Sequence, residues 1–485
     1  MPKGDDILDW PILFLSKSDP LRLRRLVEGG TLITGRLGSG KSSTSGRALA
    51  YGFLRAGLGG LVLTVKSDET AHWIEYAKAC GREKDLIIFN AASCFSFDPL
   101  AYMWTQPGRG AGLIETNIEM FTALQAVGKP QVSVSSESRY FELAVEELMR
   151  ATLVMLSLAK EPISILSIHR VITSLPTEPG QIEDAEWQQA SECAKLVAKI
   201  RERKHTLTES QWQDLENALD FTLKVWPNED PRTRSNVLST WSGMASKFVY
   251  DPLRRMFCSG TYSFTPDEIT HQHKIIVIDI PVLEYGREVS RLCQVLIKLV
   301  FQRAWLRHQY KPGCCNGAFL FQDEFAFLMH RHENHFHSVC RGSAIAPVCL
   351  TQNIMGVAAE EFGETTPGSR TLGFLGNLSV RIFHSQTDFQ TCDFAANTLG
   401  REYRYIPNYN ASENQSGRQN ASVGGSLQLV HILEPIEFNR LKSPDGENPC
   451  AEAIVWVNGE TFNATKTESN PKGRNYLRVM FSREM

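Results

Sequence analysis

The sequence predicts an α/β fold with a mainly parallel central sheet that is interrupted by an all-α inserted domain. Three observations predict it. The 485 residues are 42% hydrophobic and 22% charged, enough apolar material for a multi-lobed globular protein. Eight short apolar runs have the continuous β-branched or aromatic character of strands covered on both faces. A long interval among them, residues 105–260, follows helical periodicity instead.

The first strand candidate is followed at once by glycines and then by a helix-compatible segment, the order of an α/β nucleotide-binding unit. The strand candidates are residues 31–34, 60–65, 85–89, 274–280, 317–321, 345–350, 378–383 and 452–457. The polar segment 408–425 is typical of a flexible loop or the tip of a hairpin.

In the helical interval, apolar residues recur at i, i+4 and i+8, as in Tyr140, Ala144 and Leu148. Residues 183–203 and 209–226 repeat this helical pattern. The predicted organisation is a first α/β part over residues 1–104, an all-helical insertion over 105–260 and a second α/β part over 261–485.

Composition excludes several function classes. With 51 Lys+Arg against 54 Asp+Glu the net charge is -3, so any DNA contact must be local or assembled by an oligomer. The longest N-terminal apolar stretch, residues 10–15, is far shorter than the ~20 residues of a membrane span, so we expect no intrinsic span. The cysteines include no C-x-x-C motif, which disfavours a zinc ribbon and fits a reducing cytoplasm.

The sequence GRLGSGKS, from Gly35 to Ser42, satisfies the phosphate-loop pattern G-x-x-x-x-G-K-[ST] between a predicted strand and a predicted helix. Glycines let backbone N–H groups turn towards phosphate, Lys41 reaches the β/γ oxygens, and the Ser42 hydroxyl is a ligand for Mg²⁺. The alternative is a simple glycine-rich turn. The residues expected to bind ATP are Gly35, Gly38, Ser39, Gly40, Lys41, Ser42 and Ser43.

An acidic pair, Asp323 and Glu324, follows the apolar strand GAFLFQ. An Asp at a strand end can hold Mg²⁺ through water, and an adjacent Glu can polarise the attacking water. The alternative is an acidic pair at the start of a surface loop. We therefore expect Ser42 and Asp323 to bind the metal and Glu324 and Lys41 to act in catalysis.

At this point several separate blocks resemble the coupling-protein ATPases of conjugation and type IV secretion, the TraG/TraD kind within the FtsK/HerA group of hexameric motors. TVKSDET, which contains Lys66, and the FDPL of residues 97–100 are similar to the family's "DPKGE" turn and "fNPL" block. DEFAFL, residues 323–328, resembles the extended Walker B motif. CRGSAIAPVCLTQNI and LGNLSVRIFHSQTDFQTCDFAANTLG resemble two downstream blocks. The sequence departs from the family pattern at Thr64 and Gln322.

The resemblance implies that both α/β parts form one RecA-like P-loop NTPase domain, which assembles as a ring of six subunits and moves DNA or protein-linked DNA through its pore. It implies that Gln352 senses the γ-phosphate and that Arg341 is an arginine finger projected into a neighbouring subunit. A strand-end polar residue and a surface ion pair are the alternatives for these two. The implied partners are DNA, further copies of the chain, and relaxase or secretion-channel proteins that would hold a cytoplasmic protein at the inner membrane.

Two other classes of function stay open at this stage. The helical insertion could bind a protein, which would make the chain an ATP-driven protein-remodelling or effector-recruiting module that does not act on DNA. A non-hydrolysing, nucleotide-gated scaffold is disfavoured by the intact Lys41 and Glu324. The four histidines between His330 and His337 are expected to form a solvated or inter-subunit face rather than a metal site.

Overall fold

The computed structural model describes residues 6–106, 112–127, 136–312, 317–413 and 419–484, with residues 136–139, 360–361, 410–413 and 419–423 described by backbone alone. Its strands are β1 (Pro11–Ser16), β2 (Asp19–Arg22), β3 (Thr31–Thr34), β4 (Gly59–Thr64), β5 (Leu86–Phe89), β6 (Ile275–Asp279), β7 (Ala318–Gln322), β8 (Ile345–Thr351), β9 (Val380–Phe383), β10 (Arg401–Glu413), β11 (Gln419–His431), β12 (Cys450–Val457) and β13 (Tyr476–Ser482).

Nine of these strands form one central sheet in the order β13-β12-β9-β3-β8-β7-β4-β6-β5. The seven strands from β9 to β5 run parallel, and β12 and β13 add an antiparallel edge. All eight predicted strands lie in this sheet, which confirms the mainly parallel α/β fold. Strand β13 was not predicted because, as an edge strand, it alternates buried and exposed positions and lacks a continuous apolar run.

The helices are α1 (Leu23–Leu26), α2 (Arg47–Arg55), α3 (Glu69–Ala79), α4 (Pro99–Thr105), α5 (Ile114–Gln125), α6 (Ser136–Ala159), α7 (Ile165–Thr173), α8 (Ala185–Ala190), α9 (Glu192–Glu202), α10 (Glu209–Leu219), α11 (Trp226–Asn228), α12 (Pro231–Ala245), α13 (Leu253–Phe257), α14 (Pro266–Gln272), α15 (Val282–Tyr285), α16 (Arg287–Leu306), α17 (Glu333–Val339), α18 (Ile354–Val357), α19 (Ser369–Gly376), α20 (Phe389–Leu399) and α21 (Pro435–Asn439). Among the described residues, no helix is both long enough and apolar enough to cross a bilayer.

Helices α4–α14 lie between β5 and β6, and the described residues of this interval contain no strand, which confirms the helical interruption of the sheet. The long helix α6 packs against α5, α7, α9, α10 and α12. Its buried residues Leu148 and Met155 belong to a hydrophobic core that continues to Phe89 of β5. Because this core runs without a break from the insertion to the sheet, the domain limits at 104 and 260 stay a prediction.

The two ends of the insertion are tied together at Asp98, in the FDPL block. One carboxylate oxygen of Asp98 caps α4 by accepting hydrogen bonds from the backbone N–H groups of Leu100 and Ala101. The other oxygen accepts from the N–H of Gly260, and the Phe97 N–H donates to the carbonyl of Met256 at 2.7 Å. The block therefore closes the helical insertion at its base.

The polar segment 408–425 is part of a two-stranded antiparallel ribbon, β10–β11, over its described residues. This agrees with a hairpin rather than a loop. Residues 414–418, which join the two strands, lie outside the described residues.

The face of the sheet that packs on α2 and α3 is built around Phe319 of β7. Its ring stacks on Phe53 and on Trp73, with centroids 5.0 and 5.7 Å away. Gly60 of β4 lies beside this stack, and a Cβ at Gly60 would be 2.2 Å from Phe319 Cε2. The absence of a side chain at Gly60 is what lets the aromatic stack form.

Gly60→Val should destabilise the protein by about 1–3 kcal/mol, because the added side chain displaces the Phe319 ring from its stack. Urea denaturation followed by circular dichroism measures the change. Gly243→Ala is the matched control, because a Cβ there meets nothing within 4 Å. Since alanine favours a helix over glycine by about 1 kcal/mol, the control should be neutral or slightly stabilising. Equal stability of the two variants would contradict this account of the core.

Candidate functional site

The phosphate loop lies between β3 and a π-helical turn at Ser42–Gly46 that continues into α2. Gly38 and Gly40 adopt left-handed backbone conformations, with φ of 75° and 90°. A Cβ at Gly35 would be 2.2 Å from Ser39 Oγ, so this position also requires glycine. The loop thus presents backbone N–H groups at a helix N-terminus, an arrangement suited to an anion.

A cavity of about 400 Å³ opens over this loop. All of the predicted ATP-binding residues except Gly35 line it, and Asp323 lines it as well. The hydroxyl of Ser39 is buried in the lining and has no hydrogen-bond partner among the described residues. Cationic side chains surround the cavity: Arg36, Lys41, Arg47, Lys66 and Arg483. A partly open cavity with this lining fits a polyphosphate.

Arg483 was missed by the sequence analysis. It follows β13, and its Nε donates to the Ser43 hydroxyl at 3.2 Å. The contact exists because β13 runs parallel to β9 and therefore ends at the same edge of the sheet as the phosphate loop. Nothing in the local sequence near Arg483 indicates this position, since it depends on the strand order.

The Mg²⁺ candidates meet directly. The Ser42 hydroxyl donates to Asp323 Oδ2 at 2.9 Å, although 281 positions separate the two residues. A hydroxyl and a carboxylate are oxygen ligands of the kind that Mg²⁺ prefers, and Mg²⁺ usually completes its shell with water and substrate phosphate. No group of three or more His, Cys, Asp or Glu side chains in the described part of the chain is arranged to hold a metal, so the remaining ligands would be phosphate and water.

Lys66 and Glu69 complete the acidic side of the cavity. Lys66 Nζ lies 3.6 Å from Asp323 Oδ2, 3.2 Å from Glu324 Oε1 and 3.6 Å from Glu69 Oε1. Burial opposes a charge on Lys66, but the surrounding carboxylates outweigh it and hold the pKa of Lys66 above its ordinary value. Burial and the charge of Asp323 raise the pKa of Glu69 well above its usual range. Glu69 was missed by the sequence analysis, since nothing marks it apart from its position after β4.

Glu324 and Gln352 lie side by side at the ends of neighbouring strands. Gln352 Nε2 lies 3.4 Å from Glu324 Oε1, because the neighbouring parallel strands β7 and β8 end at the same edge. Glu324 has a left-handed backbone with φ of 52°, and its N–H donates to Asp323 Oδ1 at 3.0 Å. This conformation is unfavourable for a residue with a side chain, so the surrounding contacts must hold it in place.

Arg341 lies apart from this cluster. It precedes β8 and sits beside Glu28, which precedes β3, so it occupies the edge of the sheet opposite the phosphate loop. Its side chain is 68% exposed, and its Nη1 lies 3.8 Å from Glu28 Oε1. A role for Arg341 within its own subunit's site is excluded by this placement, whereas a role in a neighbouring subunit stays a prediction.

Both departures from the family pattern have structural partners. The Thr64 hydroxyl donates to the carbonyl of Ile278 at 2.8 Å, which joins β4 to β6. Gln322 Oε1 accepts a hydrogen bond from Lys298 Nζ at 2.7 Å. Lys298, on α16, also donates to the carbonyl of Leu328 at 2.7 Å and thereby spans the loop that carries the acidic pair.

The charge of Lys298 is balanced by Glu333, whose Oε2 lies 2.6 Å away, and neither side chain is more than 1% exposed. Burial opposes ionisation of Glu333, but Lys298 and the adjacent histidines outweigh it and hold the pKa of Glu333 far below its usual range. His330 and His337 lie 3.1 and 3.3 Å from the Glu333 carboxylate. The expected solvated face is therefore wrong for these two histidines, which are buried because Glu333 supplies a partner.

No protein-family model and no curated protein matches the chain. Among solved structures, the bacterial conjugative coupling protein TrwBΔN70 in an unbound form matches with a TM-score of 0.59 and 13% identity, over 100% of this chain and 91% of that one. TrwB with a non-hydrolysable ATP analogue matches with 0.59 and 14%, over 100% and 92%. TrwB with a GTP analogue matches with 0.54 and 15%, over 96% and 88%.

These likenesses show that this chain has the RecA-like P-loop NTPase fold of the coupling protein TrwB. The structural neighbours thus belong to the kind of protein that the sequence blocks resemble. At 13–15% identity, these likenesses support the shared fold alone. The roles of individual residues rest on the geometry described above.

Lys298→Met should cost about 3–5 kcal/mol, because it leaves the Glu333 carboxylate buried without its cation. Replacing both charges in Lys298→Met/Glu333→Leu should recover more than half of that loss. Denaturant unfolding of the full chain measures both. Lys195→Met is the control, because its pair with Glu192 is about half exposed and should contribute less than about 1 kcal/mol. A single variant as stable as the wild type would show that the buried pair does not support the loop.

Proposed function

We propose that this chain is an ATP-hydrolysing motor of the coupling-protein type, which assembles into a ring and moves DNA or protein-linked DNA for secretion. The observation that carries the proposal is the convergence of Ser42, Asp323, Glu324 and Gln352 on one phosphate loop. A nucleotide-gated scaffold would need the loop but would not need a carboxylate and an amide held side by side beyond it.

The proposed reaction uses the residues as follows. The loop N–H groups and Lys41 bind the β- and γ-phosphates. Ser42 and Asp323 would hold Mg²⁺, which would supply positive charge that offsets the phosphate charge. Gln352 orients a water, Glu324 accepts its proton, the water oxygen bonds to the γ-phosphorus, and the bond to the ADP oxygen breaks. Lys66 neutralises the carboxylates that line the cavity.

The position of Arg341 supports the proposal that copies of the chain assemble into a ring. The phosphate loop and Arg341 lie at opposite edges of the sheet. Head-to-tail packing of copies joins opposite edges, and such packing closes into a ring when the rotation permits. In a ring of this kind Arg341 would complete the neighbour's site, which makes hydrolysis depend on assembly. A hexamer is the size that the resemblance implies.

The likeness to TrwB supports DNA as the transported substrate, with further copies of the chain and relaxase or secretion-channel proteins as partners. With a net charge of -3, the chain must concentrate its contacts with phosphate on the surface that faces the pore. The proposed location is the cytoplasm, at the inner membrane through protein partners.

Purified protein should hydrolyse ATP, and single- or double-stranded DNA should raise the rate. The stimulation should fall steeply with added salt, because phosphate contacts release counterions. Glu324→Gln should lower kcat about 100-fold or more with little change in nucleotide affinity, since it removes a proton acceptor and no phosphate ligand. Lys41→Ala should lose both ATP turnover and nucleotide affinity. An ATPase rate that DNA does not change at any salt concentration would contradict the DNA motor and favour an ATPase that acts on proteins.

Mixing two inactive variants tests the role of Arg341. Arg341→Ala and Lys41→Ala should each lack turnover alone, whereas a mixture should regain it, because Lys41→Ala subunits lend Arg341 to intact phosphate loops. Arg254→Ala is the control, since Arg254 forms an exposed surface pair with Asp251. Full activity of Arg341→Ala alone would show that Arg341 only forms a surface ion pair with Glu28. An inactive mixture would exclude a role for Arg341 in the site of a neighbouring subunit.

A further inference from the structure

The ribbon β10–β11 is exposed over most of the residues whose side chains are described. Each strand has 13 residues, and the two are paired without a break in register from Arg401↔His431 to Glu413↔Gln419. At ~3.3 Å per residue the ribbon is roughly 43 Å long. A two-stranded hairpin of this kind is only marginally stable by itself in water.

The two faces of the ribbon differ. Because side chains alternate along a strand, Tyr403, Tyr405 and Tyr409 share one face. These tyrosines are 70%, 62% and 76% exposed. Leu429 and Leu427 lie opposite Tyr403 and Tyr405 on the same face and are 51% and 64% exposed. The other face carries Glu402, Arg404, Asn408 and Gln428.

The apolar face is continuous. A Cβ at Gly425 would be 2.0 Å from Cζ of Tyr405, so the Tyr405 ring lies directly over this glycine and fills the space that a side chain would take. Five large apolar side chains that are all more than half exposed form a patch of the kind that marks a protein interface.

Charge decides which kind of partner fits. Arg401 and His431 lie on this face at the base of the ribbon, and from Tyr403 to Tyr409, with the residues opposite, the face carries no charged residue. A nucleic acid would need cations on the face to meet its phosphates. Two protein surfaces can pack on such a face without like-charge repulsion, and a face this apolar favours a partner surface that is also apolar.

The position of the ribbon favours a second copy of this chain as the partner. The Ile432 N–H donates to the carbonyl of Gly400 at the base of the ribbon. Beside this base, Asn475 Nδ2 donates to the carbonyl of Leu399 at 2.9 Å, and Asn475 directly precedes β13. The ribbon therefore starts from the edge of the sheet opposite the phosphate loop, which is the edge that carries Arg341.

We propose that the ribbon is a docking arm whose tyrosine face packs on the neighbouring copy of this chain. The inference deepens the proposed function, because the neighbour is the one that receives Arg341 in the head-to-tail ring. The face from Tyr403 to Tyr409 spans seven residues, so at ~3.3 Å per residue it is roughly 23 Å long and about 10 Å wide. It covers roughly 230 Å² on each partner, or roughly 460 Å² in total, which is less than the ~1,200 Å² in total that a stable interface needs. The arm thus strengthens an interface that other surfaces also form.

Sedimentation velocity of the full chain over a protein-concentration series, with Mg²⁺ and a non-hydrolysable ATP analogue, tests the arm. Tyr403→Ser/Tyr405→Ser should raise the concentration needed for half-assembly at least tenfold. Arg404→Ser/Gln428→Ser changes the other face of the same strands and should assemble like the wild type. Circular dichroism melting of both variants confirms that the fold is kept.

A photo-crosslinking amino acid identifies what covers the face. Placed at Tyr405 it should form covalent dimers of the chain under light, and placed at Gln428 it should form few. Unchanged assembly of the tyrosine variant, or a chain that is monomeric at every concentration, overturns the proposal. If the tyrosine variant assembles like the wild type but no longer binds a fluorescent oligothymidine, the proposal is also overturned, and the face is assigned to nucleic acid.

The test also separates the arm from the proposed ATPase. Lys41→Ala should still assemble in an arm-dependent way in the presence of Mg²⁺ at high protein concentration, because the tyrosine face takes no part in nucleotide binding. Arm-dependent assembly without any ATP turnover in the wild type would support the arm and refute the proposed function. ATP turnover with assembly that does not depend on the arm would refute the arm and leave the proposed ATPase intact.

Discussion

The parallel alignment of β3, β7 and β8 is the constraint on which the candidate site depends. Parallel strands end at the same edge of a sheet, so the phosphate loop after β3, the acidic pair after β7 and Gln352 after β8 meet there without any further device. The 2.9 Å contact between Ser42 and Asp323 is a direct result of this alignment. The edge strand β13 also ends at this edge of the sheet. Its direction therefore places Arg483, near the end of the sequence, beside the phosphate loop.

The sheet fixes where the acidic loop starts, and a buried charge fixes how it continues. Lys298 donates to a residue before the acidic pair, Gln322, and to the carbonyl of Leu328 after it. A lysine without access to water needs a compensating anion, which Glu333 provides, and Glu333 in turn accounts for two buried histidines. The left-handed backbone at Glu324 is held between these supports, where the surrounding contacts can offset its unfavourable conformation.

The two edges of the sheet have different properties. The phosphate-loop edge carries the cavity and nearly all the residues that could handle nucleotide. The opposite edge carries an exposed arginine and the base of an exposed aromatic ribbon. Such a division suits a protein whose copies meet edge to edge, since one copy can supply what the other lacks. The helical insertion stands outside this division, because it shares a hydrophobic core with one face of the sheet.

The sequence by itself determined the eight covered strands, the helical interruption and the local motifs, because each is encoded by neighbouring residues: continuous apolar runs, helical periodicity and a glycine-rich loop before a helix. The tertiary structure alone decided the parts that depend on strand order and on partners distant in sequence. Glu69 and Arg483 join the site only through the sheet, and His330 and His337 are buried only because Glu333 and Lys298 lie beside them. Arg341 was predicted from the family resemblance as an arginine finger, and its place at the far edge follows from the direction of β8. A local pattern records what a residue's neighbours in the chain require, whereas burial and charge pairing depend on residues that the fold brings together.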